Sequence, residues 1–223
     1  MLSEIWTIFI KDLRLDLRRM ENFFSMFFFS VIILLVFAFA MPADKDSHII
    51  FAPGTFWVTF LLSGILSLNK SFQLEKENAC MESLLISPIS RGSIFLGKLF
   101  GNIIFIMIIQ CLIIPLFSLF FYSGFLDHFF SLMLLSVISA VGFSSLGTLL
   151  SGLTTDLRFK EILLPILLFP LLIPLLLASV RIMQGILIGE GFSGELDWLK
   201  LLIGFDLIFL IISYLIFDFV AEM

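Results

Sequence analysis

The chain has 223 residues, of which 60% are hydrophobic and only 14% are charged, and its mean hydropathy is +1.15. A soluble domain is about half apolar and about a quarter charged, so this composition excludes a soluble globular protein and indicates an integral membrane protein. The net charge of -5 says little about partners, because the position of the 13 basic residues relative to the spans matters more. The two cysteines, Cys80 and Cys111, are isolated, so neither a disulfide framework nor a thiol redox pair is predicted.

Residues 1–22 predict an amphipathic helix. Apolar residues recur every four positions at Ile5, Phe9 and Leu13, while charged residues occupy the other side. With Trp6 as an aromatic anchor, such a helix is suited to lying in the headgroup layer at the cytosolic surface of a membrane. A secretory signal peptide is the competing interpretation, but the charged region is too long and no small-residue cleavage site follows the apolar run.

The remaining residues, 23–223, are predicted to form one all-α domain of six transmembrane helices. Each apolar run has about 18 residues or more, the length that an α-helix needs to cross roughly 30 Å of hydrocarbon. The six runs are residues 23–41, 51–68, 94–121, 129–152, 162–180 and 201–220.

The basic residues are unevenly divided between the two sides of the membrane. One side holds Lys11, Arg14, Arg18, Arg19, Lys70, Lys76, Arg91, Lys98, Arg158 and Lys160, and the other holds Lys45, Arg181 and Lys200. Because basic residues concentrate in cytoplasmic connections, this distribution predicts that both termini are cytoplasmic.

Residues 70–98 form a polar segment between the second and third runs, dense in both charge signs. Residues 72–86 predict a short amphipathic helix, which Pro88 follows and ends. Its apolar side holds Phe72, Ala79, Leu85 and Ile86, and its charged side holds Glu75, Lys76, Glu77 and Glu82. The helix is either a contact surface for a soluble partner or a solvated connector.

Two of the runs contain patterns that predict local structure. The fourth run repeats small residues every four positions: Ser136, Ala140, Ser144, Thr148 and Gly152. This spacing predicts a close helix–helix contact. The fifth run contains Pro165, Pro170 and Pro174, which are expected to bend it.

Asp206 lies a turn or two inside the sixth predicted run. An ionised carboxylate is costly there, so a functional or inter-helix polar role competes with solvation at the membrane interface. Residues 181–200, between the last two runs, are predicted to form an external cap that hugs the membrane, because the apolar stretch 182–188 is too short to cross it.

No motif in the sequence predicts catalysis. A GxxxxGK[ST] phosphate loop is missing, so ATP hydrolysis by the P-loop route is not predicted, and neither HExxH nor GxSxG occurs. No metal site, bound cofactor or nucleic-acid partner is predicted either.

Three stretches of the chain resemble a known family. They are APGTFWV at residues 52–58, MESLL at residues 81–85 followed by Pro88, and FPLLIPLL at residues 169–176. They are similar to the haem exporter protein B (CcmB) family, the ABC-type permease subunit of cytochrome c maturation, and the similarity extends over about residues 5–185. One departure is Ala79-Cys80, where such permeases commonly have Gly followed by Ser or Thr.

The resemblance implies a permease subunit of the bacterial inner membrane, paired with a second copy of itself and surrounded by membrane lipid. Its other implied partners are a separate ABC ATPase subunit and the haem-handling membrane subunits of the maturation complex. ATP hydrolysis would drive either haem export or release of the haem-loaded chaperone. Haem is then a substrate rather than a resident cofactor.

The resemblance also implies that the polar segment transmits the work of the ATPase. The residues expected to do so are Phe72, Glu75, Glu77, Glu82, Leu85 and Pro88. Two histidines, His48 and His128, lie in predicted external loops, but neither has the supporting groups that a haem ligand needs. An ABC type 2 permease for another substrate, such as a lipid-linked glycan or a drug, and a membrane scaffold that transports nothing are the alternatives.

Overall fold

The computed structural model of the chain describes residues 2–18, 20–41, 45–77, 90–121, 123–154 and 160–220. Across these ranges the protein is helical and has no β-strand. The helices are α1 (Leu2–Arg18), α2 (Met20–Ala40), α3 (Lys45–Glu77), α4 (Arg91–Phe120), α5 (Phe129–Thr154), α6 (Lys160–Ile188), α7 (Gly191–Gly194) and α8 (Leu196–Val220). Six of them, α2 to α6 and α8, are long and apolar enough to cross a membrane, which confirms the predicted all-α, six-span architecture.

The fifth helix, α5, is the centre of the bundle. It packs against α3, α4, α6 and α8, and α2 covers α3 and α4 from outside. Phe143 of α5 is fully buried and its ring meets that of Phe60 on α3 edge to face, with centroids 5.4 Å apart. Because lipid offers no hydrogen-bond partner, every span satisfies its backbone by remaining helical, and the apolar side chains left outside face the hydrocarbon.

The third helix is longer than the sequence predicts. The polar segment was expected to contain a separate helix from residue 72, but α3 continues without a break from its span to Glu77. The apolar run of the sequence ends at Leu68, and residues 69–77 extend the helix by about 13 Å beyond that run. The rest of the predicted helix, including Glu82, Leu85 and Pro88, lies outside the described residues.

The connection between the last two spans is shorter than expected. The break predicted after Val180 is not observed, because α6 continues to Ile188 and buries Ile182 in the core. The chain turns at Gly189 and Gly191, whose φ angles of 91° and 63° favour glycine. Since α8 already begins at Leu196, only a short stretch of the predicted cap, residues 181–200, lies between the two spans.

Candidate functional site

One end of the bundle, called the basic end here, is where α1, the start of α4 and the end of α8 meet. Six residues from α1, α4, α5 and α8 form a small apolar cluster there, separate from the main core: Ile8, Ile94, Phe95, Leu99, Leu149 and Phe217. Phe95 of α4 packs against Phe217 of α8, with ring centroids 5.4 Å apart. This cluster fixes the first turns of α4, which directly follow residues 78–89 of the polar segment.

Polar contacts hold α1 against the first two turns of α4. Ser93 Oγ donates a hydrogen bond of 2.8 Å to Glu4 Oε2, and Lys98 Nζ lies 3.6 Å from Asp12 Oδ2. The Lys98 side chain is fully buried, so its charge needs the Asp12 carboxylate nearby. Ser90 caps α4, its side chain accepting a hydrogen bond from the Ser93 backbone N–H.

The hydroxyl of Ser93 also holds the pKa of the Glu4 carboxyl below its usual value. A carboxylate with a lowered pKa contributes to folded stability above its ordinary range, and the contribution is lost as the pH falls through the lowered pKa. We therefore expect this contact between α1 and α4 to persist at neutral and mildly acidic pH.

A glycine permits the close approach of α1 to α4. A Cβ atom at Gly97 would lie 2.7 Å from Ile8 Cγ2 and 3.2 Å from the backbone oxygen of Ile5, so α1 would have to move. The residues of α1 that face α4 are thus Glu4, Ile8 and Asp12. Each of them precedes by one position a residue of the predicted apolar face, which is Ile5, Phe9 and Leu13. This arrangement joins α1 to α4 as one unit.

Trp6 and Phe9, on the neighbouring side of α1, line a groove with a volume of about 500 Å³. Ile5 of α1 and Phe100 and Ile104 of α4 complete its apolar wall. Trp6 is 62% exposed, as expected for an aromatic anchor at a membrane surface.

The structure describes only half of the six predicted coupling residues. Phe72, Glu75 and Glu77 lie on the last turns of α3, beyond its span, and the other three members of the set lie outside the described residues. The described part of the polar segment therefore emerges from the bundle as a continuation of α3 and re-enters it at Ser90, where α4 and the attached α1 begin.

The small-residue face of α5 is buried, as predicted. Ser136, Ala140, Ser144 and Thr148 have no exposed surface, and Gly152, near the end of the helix, is half-buried. Hydrogen bonds join this helix to three neighbours. They are Asn102 Nδ2 to Thr148 Oγ1 at 3.0 Å, Ser151 Oγ to the Leu68 oxygen at 3.0 Å, and Ser139 Oγ with Ser179 Oγ at 2.8 Å.

Asp206 lies ten residues into α8, which begins at Leu196 rather than at residue 201. The side chain is only 6% exposed and packs between α5 and α6, with its Oδ1 atom against Gly142. Solvation at the membrane interface is therefore excluded as its role in this conformation.

The three prolines lie inside α6, and the helix runs through all of them. Pro170 and Pro174 are on the exposed side of α6, whereas Leu172 and Leu175 are fully buried. Pro170 and Pro174 thus remove backbone hydrogen bonds without contributing to the core, whereas Pro165 is half-buried.

Replacing both Pro170 and Pro174 with Ala is expected to keep or raise the thermal stability of the protein, because an internal proline costs a helix about 3 kcal/mol. Cytochrome c maturation, the activity that the family resemblance implies, is expected to fall if the span must bend. Unfolding temperature in detergent and the cellular level of c-type cytochromes measure the two effects. Leu171→Ala, an exposed position on the same helix, is the control. Normal maturation with both prolines replaced would reduce them to incidental features.

The two histidines lie at the end opposite the basic end. His48 is in the first turn of α3 rather than in a loop, and its Nδ1 atom donates to the backbone oxygen of Phe121, at the end of α4. His128 precedes α5, and its backbone oxygen accepts a hydrogen bond from Leu132. Among the described residues, no group of three or more His, Cys, Asp or Glu side chains is arranged to hold a metal ion.

Sequence reasoning missed the contact between α1 and α4. The sequence interpretation gives Lys98 no partner, although this residue follows the apolar Ile94 and Phe95. A lysine within an apolar run needs a counter-charge, and this signal pointed to a buried pair, although not to Asp12 as the partner.

Comparison with known proteins agrees with this architecture. The family model described as CcmB protein matches residues 3–221. The chain is 29% identical to Heme exporter protein B of Pseudomonas aeruginosa over 200 residues, 89% of each chain. It is 23% identical to Heme exporter protein B of Haemophilus influenzae over 186 residues (83% of this chain and 84% of that one), and 27% identical to that of Rhodobacter capsulatus over 175 residues (78% and 79%).

Two of the stretches that carry the family resemblance contribute side chains to the core. In residues 52–58, Ala52 and Trp57 are buried in the core, and in residues 169–176, Leu172 and Leu175 are buried against the central helix. Because the family model spans almost the entire chain and six spans are present, the chain belongs to the CcmB protein family.

Proposed function

We propose that this chain is the permease subunit of an ABC transporter complex in cytochrome c biogenesis and that it works with a separate ATPase subunit. The observation that carries the proposal is the junction at the basic end: α3 extends beyond its span, and α4 begins there with α1 attached. A permease needs such a junction, because force applied outside the membrane must reach the spans. The names of the similar proteins, Heme exporter protein B, support the pathway.

In this proposal, residues 70–98 receive the conformational work that the ATPase subunit generates when it hydrolyses ATP. A rigid contact on the polar segment would displace the end of α3 and the start of α4 together. Because Glu4, Ile8 and Asp12 hold α1 on α4, α1 would follow. The domain division proposed earlier, with residues 1–22 as an interfacial helix and residues 23–223 as the permease, is compatible with this transmission.

The complex would act on haem or on the haem-loaded chaperone, and its haem-handling membrane subunits would present that cargo. We propose a mechanical role for the chain, in which it moves with the polar segment, rather than a haem-carrying one. Deleting its gene is expected to abolish mature c-type cytochromes, and expressing the chain is expected to restore them. The measurement is haem staining of c-type cytochromes in membranes and periplasm.

Normal c-type cytochromes in the deletion strain would contradict the proposed pathway. Co-purification distinguishes the remaining alternatives. A haem chaperone that purifies with the permease supports the proposal, whereas a complex that lacks it but transports a lipid-linked glycan or a drug supports an ABC permease of another specificity. A chain that does not change the ATPase rate of a reconstituted complex would be a scaffold.

We further propose that the basic end is cytoplasmic, so that both termini are on that side. In a background without Cys80 and Cys111, single cysteines at Asp46 and Ser193 are expected to react with an impermeant thiol reagent added to sealed cells. A cysteine at Glu77 is expected to stay unlabelled until the cells are opened. Labelling at Glu77 in sealed cells would contradict this orientation.

A second copy of the chain and membrane lipid are the remaining proposed partners. The exposed side chains of α2 include large apolar residues such as Phe28, Ile32 and Phe39. Lipid or another protein must cover such a surface, because it is unfavourable in water. Cross-linking of native membranes, followed by mass determination, distinguishes a pair from a lipid-covered monomer.

A further inference from the structure

Asp206 lies inside the apolar run of α8. This run begins at residue 201, after Asp197 and Lys200, so at 1.5 Å per residue Asp206 lies about 8 Å along the helix from its start. Its side chain is 6% exposed, and Oδ1 lies against the Gly142 backbone without a hydrogen bond of normal geometry to any described group. An ionised carboxylate is costly at such a buried position of a span.

The space for the carboxyl group exists because residue 142 is glycine. A Cβ atom there would collide with Asp206 Oδ1 and would lie 2.9 Å from Leu175 Cδ1 of α6. Asp206 is therefore pressed into the junction of α5, α6 and α8. One turn away, Ser139 and Ser179 join α5 to α6 through their hydroxyl groups.

Among the residues whose side chains the structure describes, no cation of the neighbouring helices pairs with this carboxyl group. The sequence of α5 contains no ionisable residue at all, and α6 has none between residues 162 and 180. The ionisable groups of the packed helices lie elsewhere: Arg91, Lys98 and Cys111 on α4, Lys160, Glu161 and Arg181 on α6, and Asp197, Lys200, Tyr214 and Asp218 on α8. Of the two lysines on α4 and α8, Lys98 lies beside Asp12, and Lys200 donates to Asp197 at 2.9 Å.

We propose that Asp206 is a proton-bearing latch: its carboxyl group is neutral while α8 is closed against α5 and α6, and it gives its proton to water when these helices separate. A buried carboxylate without a partner charge costs several kcal/mol, whereas a neutral carboxyl group costs far less. Closure thus requires the proton, and separation releases it. This inference concerns the packing of the helices of the chain itself, and it is the same whether the cargo is haem or the haem-loaded chaperone.

Infrared spectroscopy of the purified protein at neutral pH tests the protonation state. Asp206→Asn keeps the size of the side chain but removes the acid, so the native-minus-variant difference isolates one group. We expect a positive carbonyl-stretching band of a protonated carboxylic acid, shifted in D₂O. If Asp206→Asn does not fold, Asp206→Leu provides the same subtraction. A difference spectrum that contains only carboxylate bands would overturn the proposal.

A labelling experiment tests the movement. Ser145→Cys, a buried position of α5 one turn from Gly142 on the neighbouring face of the helix, is introduced without the two native cysteines and treated with N-ethylmaleimide over a range of pH. The labelling rate in the Asp206 protein, divided by the rate in the Asp206→Asn protein, cancels the titration of the thiol itself. We expect this ratio to rise at alkaline pH, because loss of the proton opposes closure. A ratio that stays constant with pH would overturn the latch.

Discussion

Gly142→Ala is expected to destabilise the helix bundle strongly and to abolish cytochrome c maturation. The added methyl group would overlap Asp206 Oδ1 on α8 and approach Leu175 on α6, at a point where all three helices are closely packed. Overpacking of this kind costs about 1–3 kcal/mol, and more where the obstructing atoms cannot move. The measurement is the unfolding temperature of the detergent-solubilised protein, followed by haem staining of cells that express it.

Gly204→Ala is the matched control, because no atom lies within 4 Å of a Cβ at that position of α8. It is expected to be neutral or to stabilise the helix by about 0.5–1 kcal/mol, as alanine does in helix interiors. Combining Gly142→Ala with Asp206→Ala should recover part of the lost stability, since the carboxyl group that blocks the methyl group is gone. Equal effects of Gly142→Ala and Gly204→Ala would contradict the close contact.

The six spans were predictable because hydrocarbon permits few alternatives. Leu, Ile and Phe fill each run, and a backbone in lipid must be helical, so length and hydropathy were sufficient. The buried face of α5 was predictable for a related reason: small residues every four positions serve close approach between helices. Its contact with Asp206 was not predictable, because Gly142 and Asp206 are 64 positions apart and no local pattern relates them.

The helix ends were less predictable, because hydropathy marks the membrane and not the helix. No glycine or proline occurs between Leu68 and Glu77, so nothing in that stretch ends α3 where its apolar run ends. Arg181 made the fifth run seem to stop early, but its side chain is exposed while Ile182 beside it is buried. The glycines at 189 and 191 were the better signal for the turn.

The candidate site was predictable in part. Charge density and the family resemblance both pointed to residues 70–98, and Phe72, Glu75 and Glu77 lie on the part of α3 that extends beyond its span. The attachment of α1 through Asp12 and Lys98 depends on tertiary packing, which single-sequence periodicity does not describe. The assignment of individual coupling residues stays a prediction.

The second large effect is expected from the polar segment. Glu82→Lys together with Phe72→Ala would remove an apolar anchor and place a positive charge where a basic partner surface is expected. Two like charges that face each other across an interface weaken the binding by several kcal/mol. Capture of the ATPase subunit should therefore fall by about tenfold or more, and each factor of ten corresponds to a loss of about 1.4 kcal/mol. Insertion should be unaffected, because both residues lie outside the predicted spans.

The matched control makes the same two changes at the opposite end of the bundle. Phe39→Ala removes an exposed phenylalanine near the end of α2, and Glu190→Lys reverses an exposed acidic residue next to α7. Neither position lies near the polar segment, so this double variant should bind the ATPase subunit normally. Equal weakening by both double variants would indicate a general loss of folding rather than a lost contact.

The most direct test of the central claim is the amount of ATPase subunit that purifies with the permease, measured together with the ATP hydrolysis rate of the purified complex. The account predicts that Phe72→Ala with Glu82→Lys loses both the bound subunit and the stimulated hydrolysis, at an unchanged permease level, while the control variant keeps them. Normal recruitment and normal hydrolysis in the Phe72 and Glu82 variant would contradict the account and would move the coupling contact to α1 or to residues 154–161.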